Sequence, residues 1–109
     1  MPQDPKPNQP LMLTGALTLQ AVEAIHASLM RLSDRDHLAI DCRAATEVDL
    51  SVVQLILSAR TSARQTGRSV TLAYPAEGAL LDTLKRGGFL TPGVQKPDAE
   101  QDFWLKAGS

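Results

Sequence analysis

The chain has 109 residues, which fits one domain and is enough to bury a core without metal or disulfide staples. Its hydrophobic fraction is 43% but aromatics make up only 4%, so the core must be built from Leu, Val, Ile and Ala. A net charge of −1, with no basic stripe, argues against a nucleic-acid surface, and the single Cys42 has no partner for an internal disulfide.

Residues 1–10 carry Pro2, Pro5, Pro7 and Pro10 among polar neighbours and read as a flexible, Pro-rich N-terminal arm. Leu11 to Leu17 reads as a first strand. Thr18 is then the expected N-cap of a helix whose apolar stripe is Leu19, Val22, Ile25, Leu29 and Leu32. Ser33 to His37 forms a solvated turn. Leu38 to Cys42, a continuous apolar run, is suited to the middle of a parallel sheet. A second helix is expected from Ser51 to Thr66, with Val53, Leu55, Ile56, Ala59 and Ala63 inward and Gly67 as its left-handed C-cap. Ser69 to Tyr74 reads as a third strand. A short helix, about Ala76 to Arg86, stops at Gly87-Gly88. Strands alternating with helices at these lengths imply an α/β domain: a small, mostly parallel sheet with right-handed crossovers and helices packed mainly on one face. The remainder, residues 91–109, is polar until Phe103-Trp104-Leu105, read either as an anchor docking the tail or as a partner-docking segment.

The parts that common enzymes need are missing. His26 and His37 have no second His or Cys at metal-ligand spacing, so no metal is expected. There is no GxGxxG after a strand, no Walker loop and no GxSxG elbow, so no cofactor is expected either. Cys42 follows Asp41 at a strand end and reads as a buried, inert thiol. What stands out is the stretch from Asp41 to Val53. A second carboxylate, Asp49, falls eight residues after the first and just ahead of Ser51, where the long helix is expected to start. Two readings of Ser51 stay open. Ser51-Val52-Val53-Gln54 fits the S/T-x-x-E/Q capping box, a purely structural role. Alternatively Ser51 is a phosphoacceptor, and a phosphate would add about −1.5 to −2 charges beside a helix N-terminus that attracts anions.

Taken in order, these segments resemble the STAS domain family, the bacterial anti-sigma factor antagonists and their relatives. The family's hallmark is similar to Asp-Leu-Ser-x-Val-x-x-Ile-Asp-Ser-Ser-Gly-Leu; here Asp41 to Val53 stands in its place, with both carboxylates in register and Ser51 at the phosphorylated position. Gly15-Ala16-Leu17-Thr18 resembles the family's Gly-Glu-Leu-Asp. Ala63 to Leu72, through Gly67, resembles its helix-to-strand passage, and Gly88-Phe89-Leu90 its closing segment. The likeness spans residues 11–90. Leu50 replaces the first Ser of the hallmark, Val52 the Gly after the phosphoacceptor, and Thr18 the acidic residue of the first loop; the Pro-rich arm occupies the place of the family's extra N-terminal strand.

The resemblance implies a non-enzymatic regulatory module that binds a protein partner through Thr18, Asp49, Leu50, Ser51, Val52, Val53 and Gln54. Asp41, Gly15, Gly67 and Gly88 would serve as structural positions. The partner it implies is an anti-sigma factor with a serine-kinase fold that phosphorylates Ser51. The alternatives are the ATPase subunit of a phospholipid ABC transporter and a chemotaxis-associated signalling protein, and a homodimer stays open. With no leader-like segment and no apolar run of about 20 residues, the expectation is a cytoplasmic protein without direct membrane insertion.

Overall fold

A computed structural model describes residues 9–89 and 103–105. Most of the Pro-rich arm, Leu90, and the tail on either side of the Phe103-Trp104-Leu105 turn lie outside the described residues.

The fold is α/β, a single STAS-like domain with small parallel sheets. Strands β1 (Leu11–Met12), β2 (Gly15–Leu17), β3 (His37–Asp41), β4 (Ala45–Val48) and β5 (Ser69–Leu72) alternate with helices α1 (Val22–Arg31), α2 (Leu50–Gln65) and α3 (Gly78–Arg86). One sheet has the order β1-β3-β5 and the other pairs β2 with β4, every pair parallel. Leu38 lies opposite Val70, and Ile40 opposite both Leu11 and Leu72, so these apolar residues share one face, as the period of two requires. The core they build includes Ile25 and Leu29 of α1, Val52, Val53 and Ile56 of α2, and Leu80 and Leu84 of α3.

The expected first strand is in fact two. Residues 11–17 run beside residues 40–48, and both segments bend together. Leu13 N–H donates to Asp41 O, and Gly15 N–H donates to Ala44 O across the bend. Gly15 adopts φ +76°, open to glycine at little cost, and the register of β2 against β4 shifts between Gly15 and Ala16. Strand β4, absent from the reading of the sequence, is the partner this bend creates. It alternates poorly: Thr46 and Glu47 are both exposed, and only Val48 is buried.

The first helix also differs from expectation. Thr18 caps a 3₁₀ turn, Leu19–Ala21, without a side-chain hydrogen bond, and the α-helix begins only at Val22. The tighter turn changes the angular phase. Leu19 therefore leaves the expected stripe and is 69% exposed, while Ile25, Leu29 and Leu32 are buried. His37 opens β3 instead of lying in the turn before it, with Nδ1 2.7 Å from Ser69 Oγ.

Helix α2 ends as its sequence leads one to expect. Gly67 N–H donates to Arg64 O and Arg68 N–H to Ala63 O, the two bonds of a Schellman motif, with Gly67 at φ +76°. The same pair of bonds, Gly88 to Lys85 and Phe89 to Leu84, closes α3. Phe103 and Trp104 are an anchor. Both are buried, their rings meet edge to face at 4.7 Å, and Trp104 O accepts the Ala76 N–H at 2.7 Å.

Candidate functional site

The two carboxylates of the Asp41–Val53 stretch have separate jobs. Asp41, buried at the end of β3, accepts the Arg43 backbone N–H at 2.9 Å, and Ala45 N–H donates back to Cys42 O. An Asx-type turn is thereby locked between β3 and β4. The Arg43 guanidinium returns to the same carboxylate with Nε at 3.2 Å and Nη2 at 3.1 Å, and stacks 3.4 Å from the centre of the Tyr74 ring. Burial pushes the Asp41 carboxyl up, but Arg43's hydrogen bonds and charge outweigh it and hold the group below the ordinary carboxylate value. The neighbouring Cys42 thiol is pushed up to about 12, first by burial and then by the Asp41 charge. It is therefore not a nucleophile at neutral pH.

Asp49 works across elements. Its N–H donates to Leu17 O at 2.9 Å, and its carboxylate accepts the Leu19 N–H at 2.8 Å. It thus caps the 3₁₀ turn rather than its own helix. As the N-cap residue of α2 it is extended, and its carbonyl receives the N–H groups of Val52 and Val53, but its side chain makes no capping bond there. The loop after β2 and the start of α2 are held as one ledge. Thr83 Oγ1 of α3 supports it from beneath, donating to Val48 O at 2.6 Å in a buried bond.

The capping-box reading of Ser51 is corrected by this geometry. Asp49 holds the N-cap position, so Ser51 is the second residue of the helix. Its Oγ is buried and has no hydrogen-bond partner. Val52 and Val53 are also corrected as contact residues: both are fully buried, because at this phase of the helix they point into the core. This explains why a valine fits where the hallmark has glycine. It is core material.

What remains at the surface is Thr18, half-buried, with Asp49, Leu50 and Gln54. Leu50 is 47% exposed, and it leans on the end of α3: a Cβ at Gly87 would lie 2.6 Å from Leu50 Cδ2. The missing side chain at Gly87 lets Leu50 and Phe89 approach closely. Leu19 joins this face through its bond to Asp49, a residue that the helical stripe had assigned to the core. Its signal in the sequence was weak: Thr18 and Gln20 beside it fit a cap and a helix equally well.

A small parallel α/β domain with a long helix starting at an exposed ledge, and with a hallmark carboxylate building the preceding turn, defines the class of protein. The family model described as "Mlab, STAS domain" matches residues 3–91, and the chain belongs to this family. No curated protein and no solved structure matches it significantly. STAS domains are generally non-catalytic modules that mediate protein–protein interaction, and a regulatory or binding role of that general kind follows from membership. Phe103 and Trp104 lie beyond the matched residues and complete the core from outside them. Among the described residues, no helix is long and apolar enough to cross a membrane.

Proposed function

We propose that this chain is a non-enzymatic regulatory module of the anti-sigma-factor-antagonist type, which binds its protein partner on the ledge formed by Thr18, Leu19, Asp49, Leu50 and Gln54. The observation that carries this reading is the exposure of two leucines, Leu19 and Leu50, on adjacent elements that one carboxylate ties together. Single exposed leucines are ordinary surface. Two of them on one ledge, Leu50 within the hallmark stretch and Leu19 tied to it through Asp49, form an apolar anchor of the kind that interfaces use.

Ser51 is the candidate phosphoacceptor of this module. Its buried hydroxyl implies an order of events: the first turn of α2 opens before a kinase reaches it, and the phosphate then keeps it open, because a charged group is not accommodated in a buried position that offers it no partner. A partner with a kinase fold would supply both steps.

Affinity capture from the native host with the full chain, followed by mass spectrometry, tests this reading. A serine-kinase-type anti-sigma factor retained by the wild type and lost with Leu50→Glu is the expected result. Retention of an ABC-transporter ATPase or a chemotaxis kinase instead would replace the partner while keeping the ledge. Equal capture by Leu50→Glu would remove the ledge itself.

A further inference from the structure

A groove of about 390 Å³ opens between α1 and α2 above the N-terminal ends of β3 and β5. Its size falls within the range of small-molecule sites, roughly 300–1,000 Å³. The floor is apolar, made by Leu29, Leu32, Leu38, Leu55 and Val70. Along one wall run Ser58, Ser62 and Thr66, spaced four apart on α2 so that their hydroxyls form a row on one face. At one end stand two arginines: Arg35 comes from the α1–β3 turn and Arg68 from the α2–β5 turn, and Arg68 Nη1 donates to Ser33 O at 3.1 Å to clasp the two turns together. That bond uses one of the guanidinium's five donors. None of the described residues lining the groove is acidic.

An apolar floor, a hydroxyl wall and a cationic end, with no acidic residue among the described residues of the lining, match one chemistry. We infer that this groove binds a single-chain amphiphile with an anionic head, its alkyl chain lying along the Leu29–Val70 floor and its head held by Arg68. A small polar solute would leave the leucines uncovered. A cationic amphiphile would face Arg35 and Arg68. The charged end of the groove lies away from the ledge, since from Ser51 to Ser62 the helix advances about 16 Å, while Leu55 of the floor directly follows Gln54 of the ledge. Occupancy would stiffen the α1–α2 pair without touching Leu19 or Leu50.

The test uses the full chain and three probes: dodecanoate, dodecyl phosphate and the uncharged dodecyl maltoside. Binding is followed by calorimetry below each probe's micelle concentration and by amide NMR shifts. Saturable one-to-one binding of the two anions is expected, with shifts at Met30, Ser62 and Arg68 and none at Leu50; whichever anion binds tighter identifies a carboxylate or a phosphate head. Arg68→Gln should weaken the anions about tenfold while leaving the maltoside unchanged, and Arg68→Lys should restore most of the loss. Should Arg68→Gln melt early because the turn clasp is lost, Ser62→Phe, at an exposed wall position, should block all three probes in a folded chain. Non-saturable uptake, equal affinity for the maltoside, or shifts outside the groove would overturn the assignment. So would concentration-dependent dimerisation that covers the same residues.

Discussion

Asp41 and Asp49 stand eight residues apart and carry the same charge, yet one is spent on the fold and the other on the face. Around Asp41 the polar atoms close on themselves: carboxylate, Arg43 backbone and guanidinium, and the Tyr74 ring form one compact knot. Around Asp49 the carboxylate leaves its own helix to cap the turn at Leu19, and beside it stand a buried hydroxyl without a partner and two exposed leucines. A region whose polar groups are all matched is built for stability. One that keeps an unsatisfied group and exposed apolar surface at its centre is where function is expected.

The contrast can be broken at several points. The largest effect is at alkaline pH. Cys42 is held protonated up to about pH 12 in the folded chain, whereas an unfolded thiol ionises near 9.0. A raised folded pKa stabilises below the unfolded value and is lost as pH rises through the folded one, so stability should fall by roughly 1 kcal/mol per pH unit between those limits. Urea melts of Cys42→Ala across this range should show that slope flattened; an unchanged slope would mean that the thiol is not buried as described.

Next comes Asp41. Its depressed pKa has the opposite sign: the stabilisation is present above the unfolded carboxylate pKa of about 3.9 and vanishes as pH falls through the lower folded value. Asp41→Asn should cost about 2 kcal/mol at neutral pH, since charge-assisted bonds to Arg43 are lost, while partner capture survives in the folded fraction. Loss of capture without loss of stability would erase the division of labour.

Ser51 discriminates by sign. A hydroxyl in a capping box contributes about 1 kcal/mol, so Ser51→Ala would destabilise. A buried hydroxyl without a partner costs a comparable amount, so removing it should raise stability by up to about 1 kcal/mol, read as an increase in the denaturation midpoint. Gly87→Ala is comparably small. The added methyl would press on Leu50 Cδ2 and on the edge of the Phe89 ring, side-chain atoms that can shift, so about 1 kcal/mol is expected, together with a measurable shift in the Leu50 methyl signals.

Much of this is legible in the sequence. The apolar runs at Leu38–Ile40 and Val70–Leu72, the period of α2 and the Gly67 stop are local signals, and local chemistry decided them. For Phe103 and Trp104 the sequence leaves two readings, an anchor and a docking segment, and their burial favours the anchor. The bend at Leu13–Gly15 and the strand Ala45–Val48 were not legible. Each exists only because the other lies beside it, and a pairing between distant segments leaves no periodicity in either. The same holds within the site. Leu50 and Gln54 are exposed as expected of contact residues, whereas Val52 is not; Val53 reads in the sequence both as inward-facing and as a contact residue, and only the inward reading holds, with Asp49 and not Ser51 at the N-cap. Leu19 escaped notice for a related reason: a 3₁₀ turn and an α-helix share their capping residues, and only the carboxylate of Asp49, thirty positions on, selects between them.

The most direct measurement compares Leu50→Glu with wild type in two assays on the same preparation, thermal melting and capture of the partner. With Leu50 about half exposed at the helix start and close to Gly87 at the end of α3, the melting temperature should stay within about 3 °C, while partner capture falls to background. Undiminished capture by a folded Leu50→Glu chain would contradict the assignment of the ledge as the binding face.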